Sequence, residues 1–205
     1  MDRIIGTYTG SKKGPLLIVF GAMHGNELAG MRALELLFKM LEVEPITNPD
    51  FTFHGRVVGL RGNLQAIQQK TRYIERDLNR QWTPENIQRV TAVPKAILEA
   101  EDLELRENID RIRQEIADYQ PEHLIVLDIH TTTAFGGIFA IPTEDPESVR
   151  IAVELHAPVV KGMLRGIQGS TLHYFNKENM GLRTTPVVFE SGQHDEPLSI
   201  NRAIA

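Results

Sequence analysis

The sequence predicts an α/β fold, a sheet covered by helices on both faces. Three observations lead there. Short continuous apolar runs recur along the chain, helical periodicities fall between them, and polar clusters close several of the runs. Strands that alternate with helices form such a layered sheet. The length agrees with one domain: 205 residues, 41% hydrophobic and 24% charged, suffice to bury a core.

The elements follow in order. Residues 16–20, a continuous apolar run after Gly14-Pro15, read as a buried strand. From Glu27 to Leu41, Met31, Leu34, Leu37, Phe38 and Leu41 recur at spacings of three and four, which marks a helix. Pro45 and Pro49 punctuate the loop after it. Residues 56–60 form a second strand candidate. Residues 62–84 are polar, lack a period and read as a long loop. Thr83-Pro84 resembles a helix start, with Thr at the N-cap and Pro at the first helical position. Residues 99–119 form an amphipathic helix striped by Leu105, Ile109, Ile112 and Ile116, its charges reading as a solvated face, and Pro121 ends it. Residues 123–129 are a third strand. Gly136-Gly137 is a turn, 137–141 a fourth strand, 146–155 a helix and 186–189 a further strand. The residues after Pro197 read as the start of one more helix.

Composition excludes several functions. With 22 Lys plus Arg against 27 Asp plus Glu, the net charge is −5. Non-specific binding to nucleic acid or anionic membrane needs a basic surface instead. No cysteine is present, so disulfides, thiolate zinc sites, iron–sulfur clusters and a cysteine nucleophile are ruled out. Any metal must be held by histidines and carboxylates. The N-terminus lacks a basic-then-apolar leader pattern, no apolar run approaches the ~20 residues needed to span a bilayer, and the chain reads as cytoplasmic.

Three strand ends carry the chemistry. His24 and Glu27 lie three apart in the turn after the first strand, where both can point at one spot. Asp128 and His130 are two apart in a strand and so share a face. Glu190 closes the last strand. Two histidines and a glutamate make a catalytic zinc set with one open position. A further free carboxylate could take a proton from water, whose pKa a metal lowers from roughly 15.7 to 7. Singly, each residue suits a structural role: a hydrogen-bonded histidine, or a glutamate favoured at a helix start. Their joint placement at strand ends favours the metal site. The segment 72–80 packs three arginines, two acids and an asparagine. It is either an exposed, salt-bridged loop or an anion-binding, oxyanion-stabilising one.

These residues resemble the succinylglutamate desuccinylase/aspartoacylase family of the zinc carboxypeptidase-like superfamily. The resemblance rests on His24-Gly-Asn-Glu27, Arg72, Asp77-Leu-Asn79-Arg80, Asp128-Ile-His130 and Glu190. It implies a mixed, mostly parallel sheet and one zinc ion per chain, held by His24, Glu27 and His130. Glu190 would be the general base, and Arg72 would polarise the scissile carbonyl. Asn79 and Arg80 would bind the substrate carboxylate, and Asp77 would orient His24. Asp128 is a further candidate support behind the ligands, and Asn63 matches a family position. The implied reaction is hydrolysis of a small anionic N-acyl amino acid, of the N-succinyl or N-acetyl acidic type. A metallocarboxypeptidase acting on peptides and a non-catalytic metal- or metabolite-binding domain are the alternatives.

The chain departs from the family at one point. Where a family arginine helps to bind the acyl or side-chain carboxylate, this chain has Met180, while Arg165 and Arg183 lie nearby without aligning. Arg183 reads as a surface residue. His54, His123, His156, His173 and His194 read as structural, and Tyr73 and Trp82 as packing down the 72–80 loop. The resemblance also implies a β-rich domain after the Glu190 strand, so residues 1–205 are expected to be the catalytic part of a longer protein.

Overall fold

The computed structural model describes residues 1–134 and 137–205. Gly136, expected in a turn, lies outside them. Six strands form one sheet: β1 (Ile4–Thr9), β2 (Lys12–Gly21), β3 (His54–Arg61), β4 (His123–Thr132), β5 (Ile138–Pro142) and β6 (Arg183–Gln193). Their spatial order is β1-β3-β2-β4-β6-β5. The four inner strands run parallel, and the two edge strands run antiparallel to their neighbours. The sheet is therefore mixed and mostly parallel, as expected.

Alternation along the strands divides the core. Leu16, Ile18, Phe20, Leu124 and Val126 face one side, where α3 (Pro84–Thr91) and α4 (Ala100–Tyr119) bring Ile87, Val90, Leu105, Ile109 and Ile112. Val19, Val57, Ile129, Val187 and Phe189 face the other side, against Leu34 and Phe38 of α1 (Ala29–Thr47) and Ala152 of α5 (Pro146–Glu154). Asp128 and His130 continue the row of Leu124 and Val126, so the polar end of β4 faces the α4 side. No helix among the described residues is long and apolar enough to cross a membrane.

Several boundaries differ from expectation. Helix α1 opens at Ala29 rather than Glu27 and runs through Pro45 to Thr47. Pro45 falls in the last turn on the solvent side, where water can serve the carbonyl that loses its N–H partner. Strand β1 was not foreseen: an edge strand with Gly6 and two exposed threonines carries little apolar signal. The expected loop 62–84 contains α2 (Leu64–Gln69) and a single 3₁₀ turn, Leu78–Arg80. Two four-residue helices, α6 (Thr171–Tyr174) and α7 (Lys177–Met180), precede β6, and α8 (Leu198–Ile204) follows it.

The solvated face of α4 is the main correction. Glu101, Glu104 and Glu115 are buried. Glu104 accepts from the Leu64 and Gln65 N–H groups, both at 3.0 Å, and from Arg3. A carboxylate at the first turn of α2 satisfies its free amides and its positive end. Glu101 accepts from Ile74, Glu75 and Arg76 N–H groups. These acids are buried because backbone donors and distant arginines meet them, which helical spacing does not reveal.

Candidate metal centre

Strands β2, β4 and β6 are neighbours in the sheet, so the three polar strand ends expected to carry chemistry converge. His130 and Glu190 are register partners across β4 and β6. His24 and Glu27 sit in the tight turn between β2 and α1. Gly25 in that turn packs so closely that a Cβ would stand 2.1 Å from the Ala66 carbonyl carbon.

His24, Glu27 and His130 are buried, and one donor atom from each lies within 4.8 Å of the others. His24 Nδ1 is 2.8 Å from Glu27 Oε1, and His130 Nδ1 is 2.9 Å from Glu27 Oε2. Both imidazoles turn Nδ1 to the shared centre and present Nε2 to a second carboxylate. His24 Nε2 lies 2.9 Å from Asp77 Oδ1, and His130 Nε2 lies 3.0 Å from Asp128 Oδ2. Carboxylates behind ligating histidines fix the ring and its tautomer in metal sites. The donor chemistry fits a divalent ion bound by two nitrogens and a carboxylate.

The electrostatics match. Burial would raise the Glu27 carboxyl, but His130 and His24 hold it well below the usual carboxylate range. Burial would lower His130, yet the Asp128 and Glu27 carboxylates raise it well above the ordinary histidine value. Asp77 follows the same logic, with burial outweighed by His24 and Arg72. Positive charge is thus favoured where the donors meet. Glu190 differs: burial pushes its pKa up, and its buried Oε2 has no hydrogen-bond partner among the described residues.

The remaining expected residues surround this centre. Arg72 Nη1 donates to Glu27 Oε1 at 3.2 Å, and Nη2 donates to Asp77 Oδ2 at 3.0 Å. Asn79 is buried, with Oδ1 accepting from Thr171 N–H and Nδ2 lying 3.3 Å from His130 Nε2. Arg80 is exposed and donates to the Asn79 carbonyl. A cleft of about 270 Å³ is lined by His24, Glu27, His130 and Glu190 together with Arg72 and Arg80.

Sequence reasoning missed three contributors. Thr171 donates its hydroxyl to Asp128 Oδ2 at 2.9 Å and its N–H to Asn79, tying both to one short helix. Glu101 pins the loop after Arg72, and its buried position in an otherwise amphipathic helix carried no signal of this. His194, expected to be structural, lines the cleft and holds Thr131 Oγ1 at 2.7 Å through Nδ1. Asn63 caps α2 and donates to Glu101 Oε1. Trp82 packs in the core against Phe20, Tyr174 and Phe175, whereas Tyr73 is exposed. Arg183 pairs with Glu147 at the surface, away from the cleft.

Residues 13–201 match the model of the succinylglutamate desuccinylase/aspartoacylase catalytic domain. The chain is 29% identical over 146 residues to a probable aspartoacylase of Nostoc sp., covering 70% of this chain and 45% of that protein. It is 31% identical over 134 residues to the aspartoacylase of Danio rerio, covering 58% of this chain and 34% of that one. The chain thus spans less than half the length of these curated relatives. Its fold is similar to the crystal structure of succinylglutamate desuccinylase from Chromobacterium violaceum. That match has a TM-score of 0.64 and 17% identity, and it covers 99% of this chain and 67% of that one.

Proposed function

The chain belongs to the succinylglutamate desuccinylase/aspartoacylase family, and on that premise we propose that it is a zinc-dependent amidohydrolase of small N-acyl amino acids. The reaction adds water across the amide and releases a carboxylate and a free amino acid. His24, Glu27 and His130 would hold the ion, with Asp77 and Asp128 fixing the two rings from behind. A bound zinc ion supplies Lewis acidity and makes water acidic enough to deprotonate near neutral pH.

The chain's own groups do the rest. Glu190 takes a proton from the attacking water and returns it to the leaving nitrogen. Burial, which raises its pKa, suits a group that must both accept and donate near neutrality. Arg72 lies beside the metal set, where its guanidinium can stabilise charge developing on the carbonyl oxygen. Arg80, with the Asn79 amide beside it, receives the substrate carboxylate.

The observation that supports this reading is the convergence of His24, Glu27, His130 and Glu190 on one cleft, which Arg72 and Arg80 also line. Glu190→Gln is expected to keep stoichiometric zinc, measured by elemental analysis, while hydrolysis falls about 10²–10⁴-fold. Wild-type turnover in the variant would overturn the role of Glu190. A zinc-loaded wild type that hydrolyses no N-acyl amino acid would overturn the function.

A further inference from the structure

We propose that His194 is a positioning residue for the metal centre: it holds Thr131, and through Thr131 it fixes Glu27. The proposal rests on the metal-binding part of the reading above, and it concerns a histidine that the proposed reaction does not use.

The need for such a support arises at the end of β4. Pairing of β2 with β4 runs as far as Gly21 and Ile129. On the other side, His130 stands opposite Glu190 but Thr132 stands opposite Gln193, so β6 carries one extra residue between them. A bulge of this kind disrupts the ladder locally. Thr131 therefore lies past the β2 pairing and inside the bulge. Its N–H donates to Glu27 Oε2 at 3.0 Å, the same oxygen that lies 2.9 Å from His130 Nδ1. Hydrogen bonds to a ligating carboxylate aim it, so the placement of Thr131 sets the placement of Oε2.

His194 meets this stretch at two points. Its N–H donates to the Thr132 carbonyl at 3.1 Å, and its Nδ1 lies 2.7 Å from Thr131 Oγ1. The Thr131 hydroxyl is buried and must give its proton to an acceptor. Nδ1 is that acceptor, which assigns the proton of the neutral ring to Nε2. The turn that carries His194 is itself tied down by α8. Ser199 donates its hydroxyl to the Gln193 carbonyl at 2.8 Å, and the Glu196 N–H donates to the same carbonyl at 3.2 Å. Arg202 of α8 pairs with Glu196. Gly192, at φ +124°, lets α8 approach: a Cβ there would stand 2.6 Å from Arg202 Nη1 and 2.8 Å from Ser199 Oγ. Contacts thus run without a break from α8 through His194 and Thr131 to Glu27.

Three substitutions separate this role from simple packing of the turn. His194→Asn sets an oxygen near the place of Nδ1 and can still accept from Thr131. His194→Gln reaches towards the place of Nε2 instead, and His194→Phe keeps a ring with no acceptor. Zinc affinity in a chelator competition is expected to fall about 10–100-fold in His194→Phe and His194→Gln and to stay near wild type in His194→Asn. Thr131→Val should show the same fall, and adding it to His194→Phe should cost little more, because both remove one bond. Equal affinities in the three His194 variants overturn the proposal, as do additive losses in the double variant. Two further readouts do not depend on an ion. In zinc-free protein, amide exchange at Thr131 should accelerate about tenfold in His194→Phe and stay unchanged in His194→Asn, the effect of roughly one hydrogen bond. Nitrogen-15 spectra of the wild type, with the ring neutral, should place the His194 proton on Nε2. Unaltered exchange in His194→Phe, or a proton on Nδ1, overturns the proposal. A wild type that binds no zinc but gives the expected exchange and tautomer sustains the hold of His194 on Thr131 and Glu27, and overturns the zinc reading instead.

Discussion

Replacing Glu101 with glutamine is expected to release the loop that carries Arg72 and Arg80. The Glu101 carboxylate accepts four hydrogen bonds. Oε1 takes Ile74 N–H at 2.7 Å and Asn63 Nδ2 at 3.0 Å, and Oε2 takes Glu75 N–H at 2.9 Å and Arg76 N–H at 3.1 Å. Glutamine keeps one oxygen and turns an NH₂ group towards the other two donors. Bonds to a charged acceptor are worth about 1.5–3 kcal/mol each, so two lost bonds approach 3–6 kcal/mol. Glu75 and Arg76 are exposed, and water recovers part of that, leaving a cost of about 3 kcal/mol. The loop can open without unfolding the sheet, so the cost appears as local opening. Amide exchange at Ile74, Glu75 and Arg76 should accelerate by about 10²-fold, since 1.4 kcal/mol is a factor of ten. Exchange within twofold of wild type at those three amides would refute the clamp. The same geometry sets a pH dependence. Burial alone would raise the Glu101 carboxyl, but the three backbone amides and Asn63 hold it below its ordinary value of 4.5. Its stabilising contribution is therefore complete above that value and is lost as pH falls through the depressed folded value.

Two other perturbations follow from the same contacts. Thr171→Val removes the hydroxyl that holds Asp128 behind His130, and should weaken zinc binding about 10–100-fold in a chelator competition; unaltered affinity would argue against that support. Gly25→Ala drives a methyl into the Ala66 backbone, and should lower stability by about 3 kcal/mol in a denaturant titration and impair metal binding with it; a wild-type midpoint would show that the turn can yield.

The central strands were legible because parallel strands covered on both faces read as continuous apolar runs, and β2 and β4 do so. The convergence of His24, Glu27 and His130 was legible because ligand sites in such sheets lie beyond the carboxyl ends of the strands. Three things were not. Strand β1 and helix α2 hold their places through pairing and a cap rather than through composition. The buried acids of α4 share their residue type with any solvated helix, and only the tertiary arrival of backbone N–H groups tells them apart. Thr171 serves Asp128 and Asn79 from distant parts of the chain, so no local spacing announces it.

The adjacency of β2, β4 and β6 has a consequence for how the protein is made. Glu27 and His130 meet although 103 residues separate them, and the register partner of His130 is Glu190, near the end of the sheet's last strand. Contacts of such long separation form late, after the chain has met the entropic cost of closing its large loops. An ion that requires all three donors binds the completed sheet and not its precursors, so it stabilises by RT ln(1 + [L]/Kd) and draws the folding equilibrium towards the finished state. Metal supply during synthesis would then govern the yield of folded protein as well as its catalysis.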